Sequence, residues 1–169
     1  MKTILEAQQL KFTIQRLAHQ LVENNTDFSD IVFIGLQPRG ILFADRIIEQ
    51  LTHISNGKKI TYGKLDITFY RDDIRTELHL ANQTDIQFSI EGKKVILIDD
   101  VLYTGRTIRA ALDALLDFGR PAKVELCVLI DRRFSRQLPI QPDYCGRAID
   151  SLFSEKVKVE WNKEEVVLY

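Results

Sequence analysis

Short apolar runs alternate with amphipathic segments along this chain. The runs IVFIG, VILI and VELCVLI have the length and composition of buried strands. Apolar residues spaced three and four apart predict one helix before IVFIG, a second after it and a third after VILI. Strands and helices alternating in this way predict an α/β fold, whose central, mainly parallel sheet is flanked by helices on both faces.

The same pattern predicts the less regular parts of the chain. Five apolar residues share one face of the third helix: Ile108, Ala111, Leu112, Leu115 and Phe118. Gly119 is the expected stop of that helix. Residues 59–70 alternate like a strand, whereas residues 71–87 are polar without clear periodicity and predict a long loop or mobile hairpin. The tail segments VKVEW and VVLY predict further strands.

Composition and charge limit the class of protein. The 169 residues contain no internal repeat or linker, so residues 1–169 are expected to form a single domain. Apolar residues make up 45% and charged residues 28%, as in ordinary globular proteins. The balance of 23 basic against 24 acidic side chains argues against nucleic-acid binding through bulk charge, but it leaves room for a local basic patch.

Neither a membrane span nor a zinc site is indicated. The N-terminal segment has no apolar signal core and no stretch reaches the length of a membrane span, so a cytoplasmic location is expected. The 3 histidines and 2 cysteines are scattered, which argues against a zinc site built on Cys/His spacing.

The chemistry of the chain is concentrated just after the strand VILI. In open parallel sheets, ligands bind beyond the carboxyl ends of the strands. Asp99 and Asp100 follow VILI directly, and ionised carboxylates suit sugar hydroxyls or a hydrated metal ion. The alternative is a strand-end turn in which the aspartates cap local amides. Two adjacent acids after four apolar residues favour a ligand, because their mutual repulsion must be offset.

The tetrapeptide Thr104-Gly105-Arg106-Thr107 stands where the third helix begins. Exposed backbone amides, two hydroxyls, a glycine and a helix N-terminus together suit an anion. Taken alone, the tetrapeptide is better explained by an N-cap and a turn. Together with the preceding acid pair it predicts a ribose 5-phosphate site, with acids for the hydroxyls at one end and a phosphate cradle at the other.

The stretch VILIDDVLYTGRT resembles the phosphoribosyl pyrophosphate (PRPP) motif of type I phosphoribosyltransferases. In detail it is similar to the PyrR branch, bacterial regulators of pyrimidine operons that also have uracil phosphoribosyltransferase activity. Other matching stretches are LDITFYRDD (65–73), DAL (113–115), GRP (119–121), LPI (138–140) and SEKV (154–157). The resemblance spans nearly the whole chain and implies a type I phosphoribosyltransferase fold with a flexible hood hairpin at about residues 70–87.

The resemblance also implies a role for each part of the site. Asp99 and Asp100 would bind the ribose hydroxyls as catalytic residues, and Arg71, at the start of the hood, would stabilise the departing pyrophosphate. The expected substrate-binding residues form three groups: Gln37, Pro38, Arg39 and Gly40 as the pyrophosphate loop; Val101, Leu102, Tyr103, Thr104, Gly105, Arg106 and Thr107 around the phosphate; and Asp131, Arg132 and Val157 beside the base. Mg²⁺ would arrive with PRPP, without a metal site of the protein's own. Whether the peptide bond before Gln37 or before Pro38 is cis stays open.

Tyr103 bears on the identity of the base. Purine-type members of the family commonly carry an Asp immediately before Thr-Gly, where this chain has Tyr103. A phenol is a poor proton acceptor at neutral pH, which favours a pyrimidine. The resemblance therefore implies conversion of uracil and PRPP to UMP and pyrophosphate. The alternatives are a 6-oxopurine salvage phosphoribosyltransferase and an RNA-binding regulator without turnover.

PyrR proteins also bind a hairpin in pyrimidine messenger RNA, and uridine nucleotides strengthen this binding. The resemblance implies a leader RNA as a partner and transcription attenuation as a second activity. Four residues are the candidates for RNA contacts: Arg16, His19, Arg136 and Arg147. A homodimer or higher homo-oligomer is also implied. Exposed arginines are ordinary, so an enzyme with a weakened regulatory role stays open.

Overall fold

A computed structural model describes residues 1–71 and 84–169 of the chain. Within these ranges lie eight β-strands and three α-helices. The strands are β1 (Lys2–Leu5), β2 (Ile31–Gln37), β3 (Thr61–Asp66), β4 (Lys94–Leu102), β5 (Lys123–Arg133), β6 (Tyr144–Asp150), β7 (Val157–Glu160) and β8 (Glu165–Leu168). The helices are α1 (Ala7–Asn24), α2 (Ile41–Ile54) and α3 (Arg106–Leu115).

The central sheet has the strand order β3-β2-β4-β5-β6, and every neighbouring pair is parallel. Side chains alternate along β4: Ile96 and Ile98 pack in the hydrophobic cluster that contains α1 and α2, whereas Val95 and Leu97 pack in the cluster that contains α3. Helices therefore cover both faces, and the predicted α/β fold is confirmed.

The apolar residues of α1 recur at helical spacing and form its buried face. Leu17 and Leu21 are fully buried, whereas His19 points to solvent. The helix begins after Glu6, whose backbone N–H donates to the side-chain oxygen of Gln9 (3.1 Å). None of the helices in the described ranges is long and apolar enough to cross a membrane.

A second, three-stranded sheet was only partly predicted. Its strand order is β1-β8-β7, and both pairs are antiparallel. The tail strands VKVEW and VVLY are confirmed as β7 and β8, but the sequence pattern did not indicate β1 or the edge strand β6. β1 has only four residues and β6 is largely exposed or half-buried, so neither shows an apolar run.

Two predicted boundaries are wrong. β3 ends at Asp66, and Thr68–Tyr70 form a short 3-10 helix instead of continuing the strand to residue 70. α3 ends at Leu115, because each of the next three amides bonds to a carbonyl three positions back and tightens the chain. Gly119 therefore lies in the connection to β5 and does not end the helix.

The predicted hood at about residues 70–87 falls mostly outside the described residues. Where the description resumes, the chain pairs with β3: Lys64 and Asp85 exchange two backbone hydrogen bonds of 2.8 Å each. Next to this pair, the Asp66 N–H donates to Thr84 Oγ1 (3.0 Å). The chain is therefore fixed to β3 at residues 84 and 85, and the predicted hairpin stays a prediction.

Candidate functional site

The carboxyl ends of β2, β4 and β5 meet at one edge of the central sheet. β4 reaches beyond β2: its pairing with β2 stops at Gly35–Ile98, whereas its pairing with β5 continues to Leu102–Asp131. The acid pair therefore lies inside β4, and the prediction that it follows the strand is wrong. Asp131 and Arg132, which were predicted to lie beyond the strand VELCVLI, are likewise inside β5, because β5 ends at Arg133.

The acid pair is held in a dry environment. Asp99 is 5% exposed; its Oδ1 accepts the backbone N–H of Asp100 (3.0 Å), and Asp100 Oδ1 accepts the N–H of Val101 (2.8 Å). Loss of hydration and the neighbouring charge of Asp100 raise the pKa of Asp99 well above its ordinary value. Loss of hydration also raises the pKa of Asp100, against the opposing effect of its bond to Val101. The pair thus carries its negative charge at a cost in the unliganded protein.

Two arginines from other segments place positive charge beside the acids. Arg39, in the loop after β2, acts to lower the pKa of Asp100, and Arg71, after the 3-10 helix, acts to lower the pKa of Asp99. Neither effect outweighs burial. The fold thus brings four predicted site residues together from three separate segments, and their roles toward PRPP stay predictions.

Gly40 allows the loop after β2 to approach the acid pair. A Cβ on Gly40 would lie 2.5 Å from Asp99 Oδ1 and 2.9 Å from Asp99 Cα, closer than non-bonded atoms normally come. The bond between Gln37 and Pro38 is cis, which settles the question the sequence left open. α2 begins at Ile41, immediately after this glycine.

The predicted phosphate cradle forms the turn between β4 and α3. Gly105 has φ +93°, a left-handed conformation that other residues adopt only with strain, and α3 begins at the next residue. Thr104 Oγ1 accepts the N–H of Arg106 at 3.4 Å. The position of the tetrapeptide at a helix N-terminus is therefore confirmed, and its phosphate binding stays a prediction.

Arg132 is a buried residue of β5 and not a surface charge. It is 4% exposed, and its guanidinium donates to Ser151 Oγ (2.9 Å) and to the carbonyls of Leu152 (3.0 Å) and Glu155 (2.8 Å). The guanidinium carbon also lies 3.9 Å from the centroid of the Tyr103 ring, a cation–π contact. Arg132 therefore fixes the loop after β6 beside Tyr103, on the side where the base is predicted to bind.

Phe153, which sequence reasoning missed, completes this corner. Its ring lies 5.6 Å from the ring of Tyr103, and its carbonyl accepts the Tyr103 hydroxyl (3.3 Å). Val157 lies further along, in β7, where its half-buried side chain packs against the cluster that contains α1 and α2. A contact between Val157 and a base is still a prediction. Phe153 stands in an irregular loop, where no hydrophobic period could single it out.

Three of the four predicted RNA-binding residues share one surface. Arg16 and His19 are exposed one turn apart on α1, and Arg16 Nη2 donates to the carbonyl of Gly146 (2.5 Å). Arg147, the next residue of β6, is also exposed and donates through Nη1 to the carbonyl of Ile4 (2.6 Å). The structure therefore brings a basic group from α1 beside one from β6.

The fourth predicted RNA contact, Arg136, has a different environment. Its guanidinium donates to Asp131 Oδ1 (2.6 Å) and to the carbonyls of Tyr103 (2.6 Å) and Ile140 (2.7 Å). These partners hold the side chain behind the phosphate cradle. Its position therefore does not support the RNA contact predicted for it.

Asp66 is a second residue that sequence reasoning passed over. Its Oδ1 accepts the N–H (2.9 Å) and the hydroxyl (2.6 Å) of Thr68, whereas its Oδ2 is buried without a hydrogen-bond partner among the described residues. Asp66 is also the register partner of Gln37, where the predicted pyrophosphate loop begins. The predicted strand ran past Asp66, which concealed its place at a strand end.

Comparison with known proteins identifies the family of the chain. The phosphoribosyl transferase domain family matches residues 1–164. A protein named bifunctional protein PyrR from Halalkalibacterium halodurans is 46% identical over 160 residues, which cover 92% of this chain and 88% of the relative. The bifunctional protein PyrR of Enterococcus faecalis is 44% identical over 168 residues, covering 97% and 92%. This chain belongs to the PyrR family of phosphoribosyltransferases.

Solved structures extend the likeness of this PyrR-family chain to more distant proteins. The hypoxanthine phosphoribosyltransferase of Trypanosoma cruzi has a TM-score of 0.76 at 19% identity and covers 99% of this chain and 95% of its own. The Staphylococcus aureus hypoxanthine phosphoribosyltransferase has a TM-score of 0.74 at 20% identity, with 98% and 90% covered. At these identities the likeness shows the type I phosphoribosyltransferase fold.

Replacement of Gly40 tests the close approach of the loop to the acid pair. We expect Gly40→Ala to weaken PRPP binding by at least about tenfold, because the new methyl group must displace the Asp99 carboxylate or the loop. Calorimetric titration with PRPP and Mg²⁺ measures the change. Gly57→Ala is the control: it adds a methyl group at a left-handed φ of +79° with nothing within 4 Å, so it loses stability but keeps PRPP affinity. Unchanged affinity in Gly40→Ala would contradict the argument.

Replacement of Asp99 tests the cost of the buried acid pair. Because the pKa of Asp99 is raised, the folded protein binds this proton more tightly than the unfolded chain, and stability falls as the pH rises from about 4 through the folded-state pKa. Asp99→Asn removes this charge. In the unliganded PyrR-family chain we expect the free energy of unfolding at pH 7 to rise by about 1 kcal/mol, while PRPP binding is lost.

Urea unfolding between pH 4 and pH 8 measures this effect. As the pH rises across this range, the free energy of unfolding of the wild type should fall relative to that of Asp99→Asn. Asp113→Asn, at an exposed position, is the control and should follow the wild type. An Asp99→Asn protein less stable than the wild type at pH 7 would show that the carboxylate is stabilising in place.

Proposed function

We propose that this chain is a uracil phosphoribosyltransferase that converts uracil and PRPP to UMP and pyrophosphate. The observation that carries the proposal is the buried acid pair, flanked by two arginine charges, at the sheet edge where the turn at Gly105 opens α3. A single ligand with hydroxyls, a phosphate and a pyrophosphate accounts for all of these features. Kinship with proteins named bifunctional protein PyrR supports the same function.

Each part of the site takes one part of PRPP. The acid pair binds the 2- and 3-hydroxyls of the ribose, because carboxylates are pure acceptors when ionised. Residues 104–107 bind the 5-phosphate through backbone amides and hydroxyls at the start of α3. Arg39 and Arg71 neutralise the pyrophosphate, and a guanidinium can do so with two parallel hydrogen bonds.

The chemical step exchanges one bond at the anomeric carbon for another. The bond to the pyrophosphate oxygen breaks and pyrophosphate leaves with its electron pair. A bond to the uracil nitrogen forms as that nitrogen loses its proton to the departing pyrophosphate or to solvent. Positive charge develops on the ribose during the exchange. The residues of this chain therefore act by orienting the ring, neutralising the leaving group and excluding water.

Mg²⁺ fits this site as an ion that arrives with PRPP. The described ranges contain no group of three or more His, Cys, Asp or Glu side chains that could hold a metal ion. Two adjacent carboxylates suit a hydrated Mg²⁺ that takes its remaining ligands from substrate oxygens. The ion would be held mainly by PRPP oxygens, with Asp99 and Asp100 as nearby acceptors for its waters, and it would supply charge neutralisation for the pyrophosphate.

The corner around Tyr103 supports a pyrimidine as the acceptor. The Tyr103 hydroxyl donates to the Phe153 carbonyl, and the ring faces the Arg132 guanidinium. This corner therefore presents no carboxylate at the position where purine-type members of the family commonly carry one. A 6-oxopurine acceptor is the less favoured alternative for this reason.

Incubation with PRPP, Mg²⁺ and one nucleobase at a time tests the proposed function. We expect UMP from uracil and no nucleotide from hypoxanthine or guanine, because Tyr103 replaces the acid of the purine branch. Separation of the products by chromatography identifies the nucleotide. Formation of IMP or GMP would assign the chain to the purine branch. No product with any base, alongside tight binding of a pyrimidine leader RNA, would leave a regulator without turnover.

We further propose that the chain binds a hairpin in a pyrimidine leader RNA and attenuates transcription in response to uridine nucleotides. The observation in favour is the exposed basic surface that Arg16 and His19 of α1 form beside Arg147 of β6. Lys and Arg side chains on one face are what RNA backbones require of a protein with balanced charge. A homodimer or higher homo-oligomer is part of the same proposal.

Salt-dependent RNA binding tests this surface. We expect Arg147→Gln and Arg16→Gln each to lower the slope of log affinity against log salt by about one, because each removes one phosphate contact. Lys163→Gln is the control, since this exposed lysine pairs with Glu160 and Glu165 beside the second sheet and lies outside the surface. Equal slopes for the wild type and both arginine variants would refute the proposed RNA surface.

A further inference from the structure

The segment after β5 packs against the back of the predicted phosphate cradle. The backbone amides of Gln137 (2.9 Å) and Leu138 (3.2 Å) both donate to the carbonyl of Thr104. The side-chain oxygen of Gln137 accepts Arg106 Nε (2.7 Å). Gln137 and Leu138 thus bond to the residues on both sides of Gly105.

Gly105 itself is in van der Waals reach of this segment. A Cβ at Gly105 would lie 3.4 Å from Leu138 Cβ and 3.4 Å from Ile140 Cδ1. Apolar side chains therefore support the left-handed turn on this side. Hydrogen bonds and packing together make residues 136–140 a support for the cradle, and we call them the brace.

Arg136 connects this brace to the central sheet. Its guanidinium donates to the carbonyl of Tyr103 (2.6 Å), where the cradle begins, and to the carbonyl of Ile140 (2.7 Å), where the brace ends. It also donates to Asp131 Oδ1 (2.6 Å) in β5, and Asp131 is itself 8% exposed. One planar group thus joins the cradle, the brace and the sheet through three directed hydrogen bonds.

We propose that Arg136 is a positioning residue, which sets the backbone of residues 103–107 for the 5-phosphate of PRPP and does not touch the substrate. The inference rests on the proposed function, because it presumes that the cradle binds a phosphate. A phosphate site made of backbone amides depends on amides that already point at the ligand, since they have no side-chain freedom to adjust afterwards. The same role explains why this arginine, which was predicted to contact RNA, instead donates to partners within the fold.

Arginine is specifically suited to this place. Its five N–H donors lie in one plane and reach acceptors in several directions at once, whereas a lysine ammonium is a single point charge on a flexible chain. We therefore expect Arg136→Lys to keep the ion pair with Asp131 but to lose one or both hydrogen bonds to the carbonyls of Tyr103 and Ile140. Arg136→Gln should lose the ion pair as well.

The experiment compares three variants by steady-state kinetics with PRPP and uracil. We expect the KM for PRPP to rise by about tenfold or more in Arg136→Gln and by a smaller factor in Arg136→Lys, with kcat within about threefold of the wild type, because phosphate binding contributes equally before and during transfer. The matched control is Arg133→Gln. Arg133 stands three residues away, but its side chain is 50% exposed and pairs with Asp150 of β6 (2.7 Å).

Hydrogen–deuterium exchange of the unliganded protein provides a readout that needs no activity. Faster exchange confined to the amides of Gln137 and Leu138, which donate to the Thr104 carbonyl, in Arg136→Gln, with Arg133→Gln like the wild type, supports the brace even if uracil is not turned over. Exchange at the wild-type rate in these amides, or faster exchange spread evenly over the sheet, would overturn it. An unchanged KM for PRPP in an active Arg136→Gln protein would overturn it as well, and weakened binding of a leader RNA in that variant would then identify Arg136 as an RNA contact.

Discussion

Two adjacent carboxylates inside β4, Asp99 buried and Asp100 half-buried, are the constraint on which the rest of the site depends. Asp99 and Asp100 lie inside the strand, where loss of hydration raises the pKa of both. Gly40 permits this arrangement, since any side chain there would collide with Asp99. The unliganded protein thus holds this charge pair at a cost in stability, which the proposed ligand would offset. Functional sites characteristically hold groups in arrangements that lower the free energy of unfolding.

The arginines of the site divide by their partners and not by their position in the sequence. Arg132 and Arg136 are four residues apart, yet both are occupied within the fold: one fixes the loop beside Tyr103 and the other joins the cradle to β5. Arg39 and Arg71 instead place their charges beside the acid pair. Arg132 and Arg136 therefore shape the site from behind. Arg39 and Arg71, whose charges lie beside the acid pair, can meet an anion there.

Helices and strands with periodic burial could be predicted from the sequence, whereas elements without such a period could not. The three helices and the strands IVFIG, VILI and VELCVLI carry long apolar repeats, which survive in the fold. β1 and β6 are short or half-exposed, so their place in a sheet comes from hydrogen bonding to neighbours distant in the sequence. The extension of β4 through Asp99 and Asp100 has the same origin, because pairing with β5 carries the strand past its last consecutive apolar residue.

The sequence by itself determined the fold class and the local chemistry of the cradle, because both depend on residues near one another in the chain: an apolar period, two adjacent acids, and a glycine between hydroxyls. Only the tertiary structure decided which side chains meet backbone groups far away in the sequence. Arg136 meets the carbonyl of Tyr103 across 33 positions, and Arg16 meets that of Gly146 across 130. Such contacts follow from how strands and helices pack, and no local pattern of residues encodes them.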